Sequence, residues 1–169
     1  MPEKFSVRLN KDYFVFSAAH FITYGGNNCE RLHGHNYRVS VDVRGPLDEN
    51  EYVVDFIALR DELVQITTDL DHQMLLATNH PTIKVVPSEK SVEVTFEDRR
   101  WVFPREDCKL LPISNTTTEL LAKYIGEKLR DRMKDRDVQG IGGMTVGVDE
   151  NEGQWGIWDW SSSISPEAG

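Results

Sequence analysis

The chain has 169 residues, 39% of them hydrophobic and 28% charged, and a formal net charge of -9. This length and composition are typical of one soluble globular domain, so we predict a single domain over residues 1–169. The acidic balance and the lack of an apolar run of about 20 residues exclude nucleic acid and membranes as partners, and without a secretory signal we expect a cytoplasmic protein.

The first two predicted strands carry three histidines. Residues 5–20 and 35–44 alternate apolar and polar side chains with the period of two that marks a β-strand. His20 ends the first strand on the side of its apolar residues, and His33 and His35 share the apolar side of the second. If the two strands pair in an antiparallel manner, the three imidazoles converge.

Three converging histidines predict a metal site. Neutral imidazole nitrogens suit Zn²⁺, and three protein ligands leave the fourth tetrahedral position open for water or substrate, as in catalytic zinc sites. A lone histidine is more often a hydrogen-bonded core residue, but three at matching strand positions favour metal binding.

Cys29 lies between these strands, four residues before His33, in the glycine-rich and polar loop YGGNNCERL. A metal and Arg31 nearby would favour an accessible thiolate, which indicates a nucleophile or a base. Two other interpretations are a fourth zinc ligand, which would close the site, and an inert thiol. Two cysteines are too few for a disulfide framework, and we expect Cys108 to be incidental.

Two helices are predicted in the middle of the chain. Asp55 can cap a helix whose apolar residues recur at helical spacing up to about Leu70. The second helix begins near Thr116, where Glu119 completes a capping box.

Asp71 and His72 follow the first of these helices. An adjacent acid and imidazole can orient a proton carrier, although consecutive side chains rarely bond each other directly and a charged helix end gives the same pattern. Both interpretations stay open at this point.

Residues 83–104, between the two helices, alternate about a charged turn at EDRR and predict an extra hairpin. Trp101 and Phe103 of this insertion are expected at the surface, where aromatic side chains favour a contact with another subunit or with the pocket entrance.

Glu150 follows a closing strand and continues the buried side of Met144, Val146 and Val148. A buried carboxylate is costly unless a partner satisfies it, and the guanidine-like edge of a ligand would do so. The alternative is a bulge that turns Glu150 outward.

These motifs together resemble the 6-pyruvoyltetrahydropterin synthase family, which includes the 6-carboxytetrahydropterin synthases. The motifs occur in the family's order over nearly the whole chain, as FSAAH, CERLHGHNY, YVVDFIALRDEL, LDHQMLL, NTTTELLA and VDENEG. The resemblance implies an α+β tunnelling fold, with a four-stranded antiparallel sheet and two helices on one face, to which this chain adds a hairpin. It also implies a homo-oligomer, a hexamer of two trimers, with sites at subunit interfaces.

The resemblance further implies roles for individual residues. The implied Zn²⁺ ligands are His20, His33 and His35. The implied catalytic thiol and its proton-relay partners are Cys29, Asp71 and His72. The implied pterin pocket is lined by Glu150, Thr117, Thr118 and Glu119. Glu119 is thus assigned both to the predicted capping box and to the implied pterin pocket.

The implied substrate is a small molecule, 7,8-dihydroneopterin triphosphate. The implied enzyme is a zinc-dependent lyase that forms 6-carboxy-5,6,7,8-tetrahydropterin, as in queuosine biosynthesis, with loss of triphosphate and acetaldehyde. A second branch of the family retains the three-carbon side chain as 6-pyruvoyltetrahydropterin.

Glu30 directly follows Cys29 and completes a second pattern. A folate-directed branch resembles ExxHGH and releases 6-hydroxymethyl-7,8-dihydropterin, and ERLHGH satisfies that pattern. Glu30 is then a second catalytic base, which could act beside Cys29 or in its place. The alternative is a solvated loop charge.

Two hypotheses lie outside this family. A zinc-stabilised structural domain would use Cys29 as its fourth ligand, but it leaves Glu150 unexplained. A zinc hydrolase would act through metal-bound hydroxide, so replacing Cys29 would barely affect its rate.

Overall fold

The computed structural model describes residues 3–136, 138 and 140–162. The helices are α1 (Phe56–Leu70) and α2 (Thr118–Asp135). The strands are β1 (Phe5–Leu9), β2 (Val15–His20), β3 (Thr23–Tyr24), β4 (Asn28–Cys29), β5 (His33–Gly45), β6 (Gln73–Ala77), β7 (Lys84–Pro87), β8 (Ser91–Phe96), β9 (Arg99–Pro104), β10 (Cys108–Leu111), β11 (Gly143–Asp149) and β12 (Trp155–Ser161). A 3-10 turn spans Arg105–Asp107.

Seven strands form the central sheet, in the order β10-β6-β2-β5-β11-β12, with β1 also paired to β5. Strand β5 is antiparallel to β1, β2 and β11, and β11 is antiparallel to β12. Strand β6 runs parallel to both β2 and β10. The antiparallel centre is as predicted, and the sheet has three strands more than the four expected.

The additional strands have identifiable causes. The strand predicted over residues 5–20 is divided by a turn, which a hydrogen bond of 3.1 Å from Phe14 N–H to the Lys11 carbonyl closes. Strand β6 has the sequence QMLLA, an almost continuous apolar run that lies between two strands and lacks the alternation of a half-buried strand. Strand β10 pairs with it in parallel.

Both helices pack on one face of the sheet, as predicted. Helix α1 begins after Asp55, whose carboxylate accepts the Ile57 N–H at 2.7 Å and caps the helix. The apolar sides of both helices and of the central strands form one core, which includes Leu63, Leu121 and Tyr37.

The start of α2 differs from the predicted capping box by one residue. Thr117 is the N-cap, and its hydroxyl accepts the Leu120 N–H at 3.4 Å. The Thr116 hydroxyl donates instead to the Phe21 carbonyl at 3.3 Å, which holds this residue against the end of β2. Glu119 accepts a hydrogen bond of 3.2 Å from the Thr118 hydroxyl.

The insertion is a three-stranded antiparallel sheet rather than a hairpin alone. Strand β8 pairs with β7 and with β9, and the turn between β8 and β9 contains Glu97 at φ 52°. A second small core lies beneath this sheet and includes Phe21, Val92, Val94 and Cys108. Trp101 is half-buried and stacks on Phe21 with ring centroids 4.6 Å apart, which corrects the expectation of surface exposure.

Within the residues that the structure describes, no helix combines the length and the apolarity that crossing a membrane requires.

Candidate metal centre and active site

The pairing of β2 with β5 brings the three predicted histidines together. His20 lies opposite His33, and Ala18 lies opposite His35. The ring centroids of the three imidazoles are 4.8 to 5.2 Å apart, and one nitrogen from each ring lies within 4.8 Å of the others. This group, called the histidine cluster below, can hold a metal ion.

Hydrogen bonds fix the tautomers of two of these histidines. His20 Nδ1 lies 2.9 Å from the Thr116 carbonyl and must donate to it, which leaves the lone pair on Nε2. His33 Nδ1 donates in the same way to the Arg31 carbonyl at 2.8 Å. Backbone carbonyls orient metal-bound histidines in this manner.

His20 Nε2 provides the test of whether the cluster fits a metal. This atom is buried and has no hydrogen-bond partner in the structure, and burial lowers the pKa of His20 to about 4, so the ring is neutral at pH 7. A buried nitrogen with an unused lone pair is unfavourable unless a ligand satisfies it. Three neutral imidazoles are a donor set that Zn²⁺ accepts.

The cluster is open on one side. His20 is buried, His35 is half-buried and His33 is exposed. Among the described residues, only these three form a potential metal-ligand group, so the Cys29 thiol is not placed as a fourth ligand. The arrangement therefore resembles a catalytic site with a free position more than a closed structural site.

The side chains of Cys29 and Glu30 point in different directions. Glu30 Oε2 accepts the Ile22 N–H at 3.1 Å and lies 4.0 Å from His33 Nε2, beside the histidine cluster. Cys29 packs against the second core, under the insertion. Burial raises the pKa of the Cys29 thiol, and this outweighs the opposing effect of the Arg99 guanidinium.

Glu150 and Glu30 both approach Tyr37. Burial, followed by the carboxylates of Glu150 and Glu30, raises the pKa of Tyr37. The Tyr37 ring meets the rings of His20 and His35 edge-on at 5.7 and 5.4 Å. In the register of β11 with β5, Asp149 lies opposite Arg38, so the next residue, Glu150, comes level with Tyr37.

The buried carboxylate at the end of β11 is Asp149 rather than Glu150. Asp149 is 3% exposed and accepts N–H groups of Asn151, Gly153 and Gln154, which builds the turn to β12. Glu150 is half-buried and therefore accessible to a ligand.

Asp71 and His72 form a hydrogen-bonded pair away from the histidine cluster. Asp71 Oδ2 lies 2.8 Å from His72 Nδ1, and its Oδ1 accepts the Ser17 N–H at 2.7 Å. The Ser17 hydrogen bond and then His72 lower the pKa of Asp71. Ser17 precedes His20 by three residues, about 10 Å of extended strand. Its neighbour Ala18 lies opposite His35, so His35 is the cluster residue nearest to Ser17 in the strand register.

The pair borders a cleft of about 550 Å³, whose lining includes His72, Ser17, Asn36 and Phe103, and also His35 of the histidine cluster. Ser17 and Asn36 point away from the core, on the face of the sheet opposite to the helices. The side chain of His72 is 83% exposed toward this side.

The predicted pocket residues at the start of α2 lie next to β12. A Cβ on Gly156 would be 2.5 Å from Thr118 Oγ1 and from the Glu119 backbone nitrogen, so glycine permits this close contact. Thr117 and Thr118 are half-buried and Glu119 is exposed. The preceding carbonyl, of Thr116, reaches His20, which places this segment beside the histidine cluster.

Sequence reasoning missed two residues that shape the site. Thr116 orients His20 through its carbonyl, a role that no side-chain pattern reveals. Arg99 donates from Nη1 to the Cys29 carbonyl at 2.9 Å and from Nη2 to the Glu30 carbonyl at 3.2 Å. Arg99 is the third residue of the EDRR turn, and the sequence marks it only as one of several basic residues, without indicating its partners.

Comparison with known proteins gives a consistent result. The family model of 6-pyruvoyl tetrahydropterin synthase matches residues 8–159. A relative from Methanocaldococcus jannaschii is 34% identical over 140 residues, 82% of this chain and 85% of the relative. The 6-carboxy-5,6,7,8-tetrahydropterin synthase of Aquifex aeolicus is 30% identical over 115 residues, 68% of this chain and 64% of that enzyme.

Solved structures show the same likeness. The 6-pyruvoyl tetrahydropterin synthase of Plasmodium falciparum has a TM-score of 0.87 at 31% identity, covering 95% of this chain and 100% of that one. A Plasmodium vivax 6-pyruvoyltetrahydropterin synthase, in which alanine replaces a catalytic glutamate, has a TM-score of 0.87 at 27% identity and the same coverage. These likenesses confirm the predicted tunnelling fold.

Proposed function

The chain belongs to the 6-pyruvoyl tetrahydropterin synthase family, and on this premise we propose that it is a zinc-dependent lyase that acts on 7,8-dihydroneopterin triphosphate. The proposed product is 6-carboxy-5,6,7,8-tetrahydropterin, formed with uptake of one water and release of triphosphate and acetaldehyde. The observation that carries the proposal is the open histidine cluster, with the unsatisfied Nε2 of His20 directed into it. The name of the Aquifex aeolicus relative supports the choice of product.

His20, His33 and His35 would hold the Zn²⁺. Bound there, the ion supplies Lewis acidity that stabilises negative charge on the oxygens of the substrate side chain. The Thr116 and Arg31 carbonyls keep two of the rings in the tautomer that presents Nε2.

Glu150 would bind the 2-amino-pyrimidinone edge of the pterin, because a carboxylate accepts two parallel N–H groups. Its half-burial and its closeness to Tyr37 support this role. Thr117, Thr118 and Glu119 would line the same pocket from the start of α2.

Two groups are candidates for moving the carbon-bound proton of the substrate. The Cys29 thiolate is the base proposed for the 6-carboxy product. Its thiol is half-buried and packs against the second core, so only part of it is accessible to a ligand.

Glu30 supports a second candidate function, the release of 6-hydroxymethyl-7,8-dihydropterin. Its carboxylate already lies 4.0 Å from His33 Nε2, on the open side of the cluster. The Plasmodium vivax structure, in which a catalytic glutamate was replaced, supports glutamate chemistry in a protein with this fold.

The Asp71–His72 pair would relay the proton in a site completed by a second subunit. Ser17, which donates its N–H to Asp71, lies about 10 Å along β2 from His20 and points to the face of the sheet opposite to the core, which supports a contribution from a second subunit. We therefore propose a homo-oligomer, and the family resemblance favours a hexamer of two trimers. We also propose that the protein acts in the cytoplasm, in queuosine biosynthesis.

The test is to incubate zinc-loaded protein with 7,8-dihydroneopterin triphosphate and to identify the pterin product by mass spectrometry. We expect a 6-carboxy product that is lost in Cys29→Ala, with Cys108→Ala as the matched control. A 6-hydroxymethyl product that is lost in Glu30→Gln would support the second candidate, and a 6-pyruvoyl product would assign the third branch. If the zinc-loaded wild-type protein does not convert the substrate, the proposed enzymatic activity is refuted and a structural zinc domain is favoured.

A further inference from the structure

The insertion contacts the segment that carries both candidate bases. The guanidinium of Arg99, the first residue of β9, donates to the carbonyls of both Cys29 and Glu30. The Cys29 thiol also donates to the Glu30 carbonyl at 3.5 Å, and Arg99 is the only described side chain from outside this segment that is hydrogen-bonded to these two carbonyls. A further hydrogen bond of 2.9 Å joins Asn27 Nδ2 to Glu97 Oε1, at the turn of the insertion.

Arg99 is itself held in place by stacking. Its guanidinium carbon lies 4.6 Å from the centre of the Trp101 ring, and Trp101 stacks on Phe21 at the end of β2. Phe21 is the neighbour of His20. The chain of contacts therefore runs from the strand of the histidine cluster, through the insertion, to the Cys29–Glu30 segment.

The two hydrogen bonds from Arg99 orient Glu30 together with Ile22, whose N–H donates to Glu30 Oε2 at 3.1 Å. The Cys29 carbonyl belongs to the peptide plane before Glu30, and the Glu30 carbonyl belongs to the plane after it. A planar guanidinium that binds both carbonyls restricts the backbone dihedrals between these planes more than a flexible ammonium would. The Glu30 side chain is thereby held toward His33, and the Cys29 thiol toward the second core.

We propose that Arg99 is a positioning residue that selects which of the two bases, Glu30 or Cys29, faces the substrate. The contact from the insertion favours Glu30, so we expect the wild-type protein to release some 6-hydroxymethyl-7,8-dihydropterin beside the proposed 6-carboxy product. This inference rests on the proposed function, since it concerns the choice between products of one site.

The experiment compares Arg99→Ala and Arg99→Lys with a matched control, Arg100→Ala. Arg100 is the next residue along the same strand, but its guanidinium binds Glu93 on the surface at 2.6 Å and does not reach the Cys29–Glu30 segment. The first readout is hydrogen–deuterium exchange in residues 27–32 of the zinc-loaded proteins without substrate. The second readout is the ratio of the 6-carboxy to the 6-hydroxymethyl product.

We expect exchange in residues 27–32 to accelerate about tenfold in Arg99→Ala, because two charge-assisted hydrogen bonds are lost. The product ratio should shift toward the Cys29-dependent product by about fivefold to tenfold. Arg99→Lys keeps the charge and one hydrogen bond, so both effects should be smaller, and Arg100→Ala should resemble the wild-type protein. Arg99→Lys also serves as the test if Arg99→Ala does not fold.

An unchanged product ratio, or an equal loss of both products, would overturn the inference even if exchange accelerates. Unchanged exchange in residues 27–32 would also overturn it. No product from the wild-type protein would instead refute the proposed function, and the exchange measurement would still decide whether Arg99 holds the segment.

Discussion

His20 is the residue on which the histidine cluster depends most. It is 2% exposed, its Nδ1 is held by Thr116, and its Nε2 has no partner among the residues that the structure describes. His33 and His35 lie nearer to solvent, where water can satisfy their nitrogens. A metal therefore changes the surroundings of His20 more than those of the other two rings.

Replacing His20 by alanine should abolish stoichiometric zinc binding, because two histidines alone make a weak site. We expect zinc measured by mass spectrometry to fall from about one ion per chain to less than about 0.1. His80→Gln is the control, since His80 bonds Thr23 and the backbone of Thr82 and Ile83, outside the cluster. Full zinc occupancy in His20→Ala would contradict the assignment.

We expect Asp71 to affect the rate of the reaction by setting the tautomer of His72. Its carboxylate accepts the Nδ1 proton, which leaves Nε2 of the exposed ring free to take a proton from a substrate. Asp71→Asn can reverse that hydrogen bond, so we expect kcat to fall about 100-fold to 1000-fold with KM nearly unchanged.

Asp69→Asn is the matched control for this effect, because Asp69 is half-exposed and its contact of 3.4 Å to Arg132 is on the surface. Comparable losses in both variants, or a loss confined to KM, would show that Asp71 has only a structural role.

Residues whose positions follow from strand alternation could be predicted from the sequence. The shared side of His20, His33 and His35 is such a case. The directions of Cys29 and Glu30 could not be predicted, because they lie at the end of a two-residue strand that is held by an insertion about 70 residues later. The direct Asp71–His72 bond was also unexpected, and it forms because His72 adopts φ 57°, outside the usual backbone regions.

At the scale of secondary-structure elements, the two helices are joined by a buried carboxylate. Glu62 of α1 is 9% exposed and receives hydrogen bonds from Arg132 of α2 at 3.2 Å and from Arg136 at 2.5 Å. Burial raises the pKa of Glu62, but the hydrogen bonds from Arg136 and Arg132 outweigh it and leave the pKa below its ordinary value.

Glu62→Gln should therefore lower the free energy of unfolding by about 1–2 kcal/mol at pH 7, a modest value because both arginines are partly solvated. Because the pKa of Glu62 is lowered in the folded state, its ionised carboxylate stabilises the wild-type protein at pH values above the pKa of Glu62 in the unfolded chain. This stabilisation is lost as the pH falls through the pKa of Glu62 in the folded protein. Urea unfolding at pH 7 and near pH 3.5 measures the difference.

Glu127→Gln is the control on the exposed side of α2, where Glu127 lies 4.0 Å from Lys123. We expect that variant to match the wild-type protein at both pH values. A difference in the free energy of unfolding between the wild-type protein and Glu62→Gln that grows as the pH falls would contradict a lowered pKa for Glu62.

The elements themselves were predictable where periodicity is strong. Helix α1 has the predicted cap and end, since Asp55 and the apolar spacing up to Leu70 agree. The start of α2 was displaced because Thr116 and Thr117 are equally good caps in isolation. The hydrogen bond from Thr116 to Phe21 decides between them, and that contact is tertiary.

At the scale of the whole molecule, the proposed site needs residues from two subunits. One subunit would provide the histidine cluster, and another would provide the Asp71–His72 pair. Two inactive variants should therefore complement each other within one oligomer, because each lacks a different part.

Co-expression of His20→Ala with Asp71→Asn should restore activity to about a quarter of the wild-type value per site, if subunits mix at random. Each variant expressed alone is the control, and size-exclusion chromatography with light scattering measures the assembly. No recovery in verified mixed oligomers would indicate that each site is built within a single chain.

The hydrogen bond from His20 to Thr116 joins residues that lie 96 positions apart. During translation, β2 and β5 can pair soon after His35 leaves the ribosome, which already brings three imidazoles together. The His20 ring is not locked in its native tautomer until the start of α2 has been synthesised and has docked. A metal ion bound by the nascent chain would therefore be held more weakly than one bound by the completed chain.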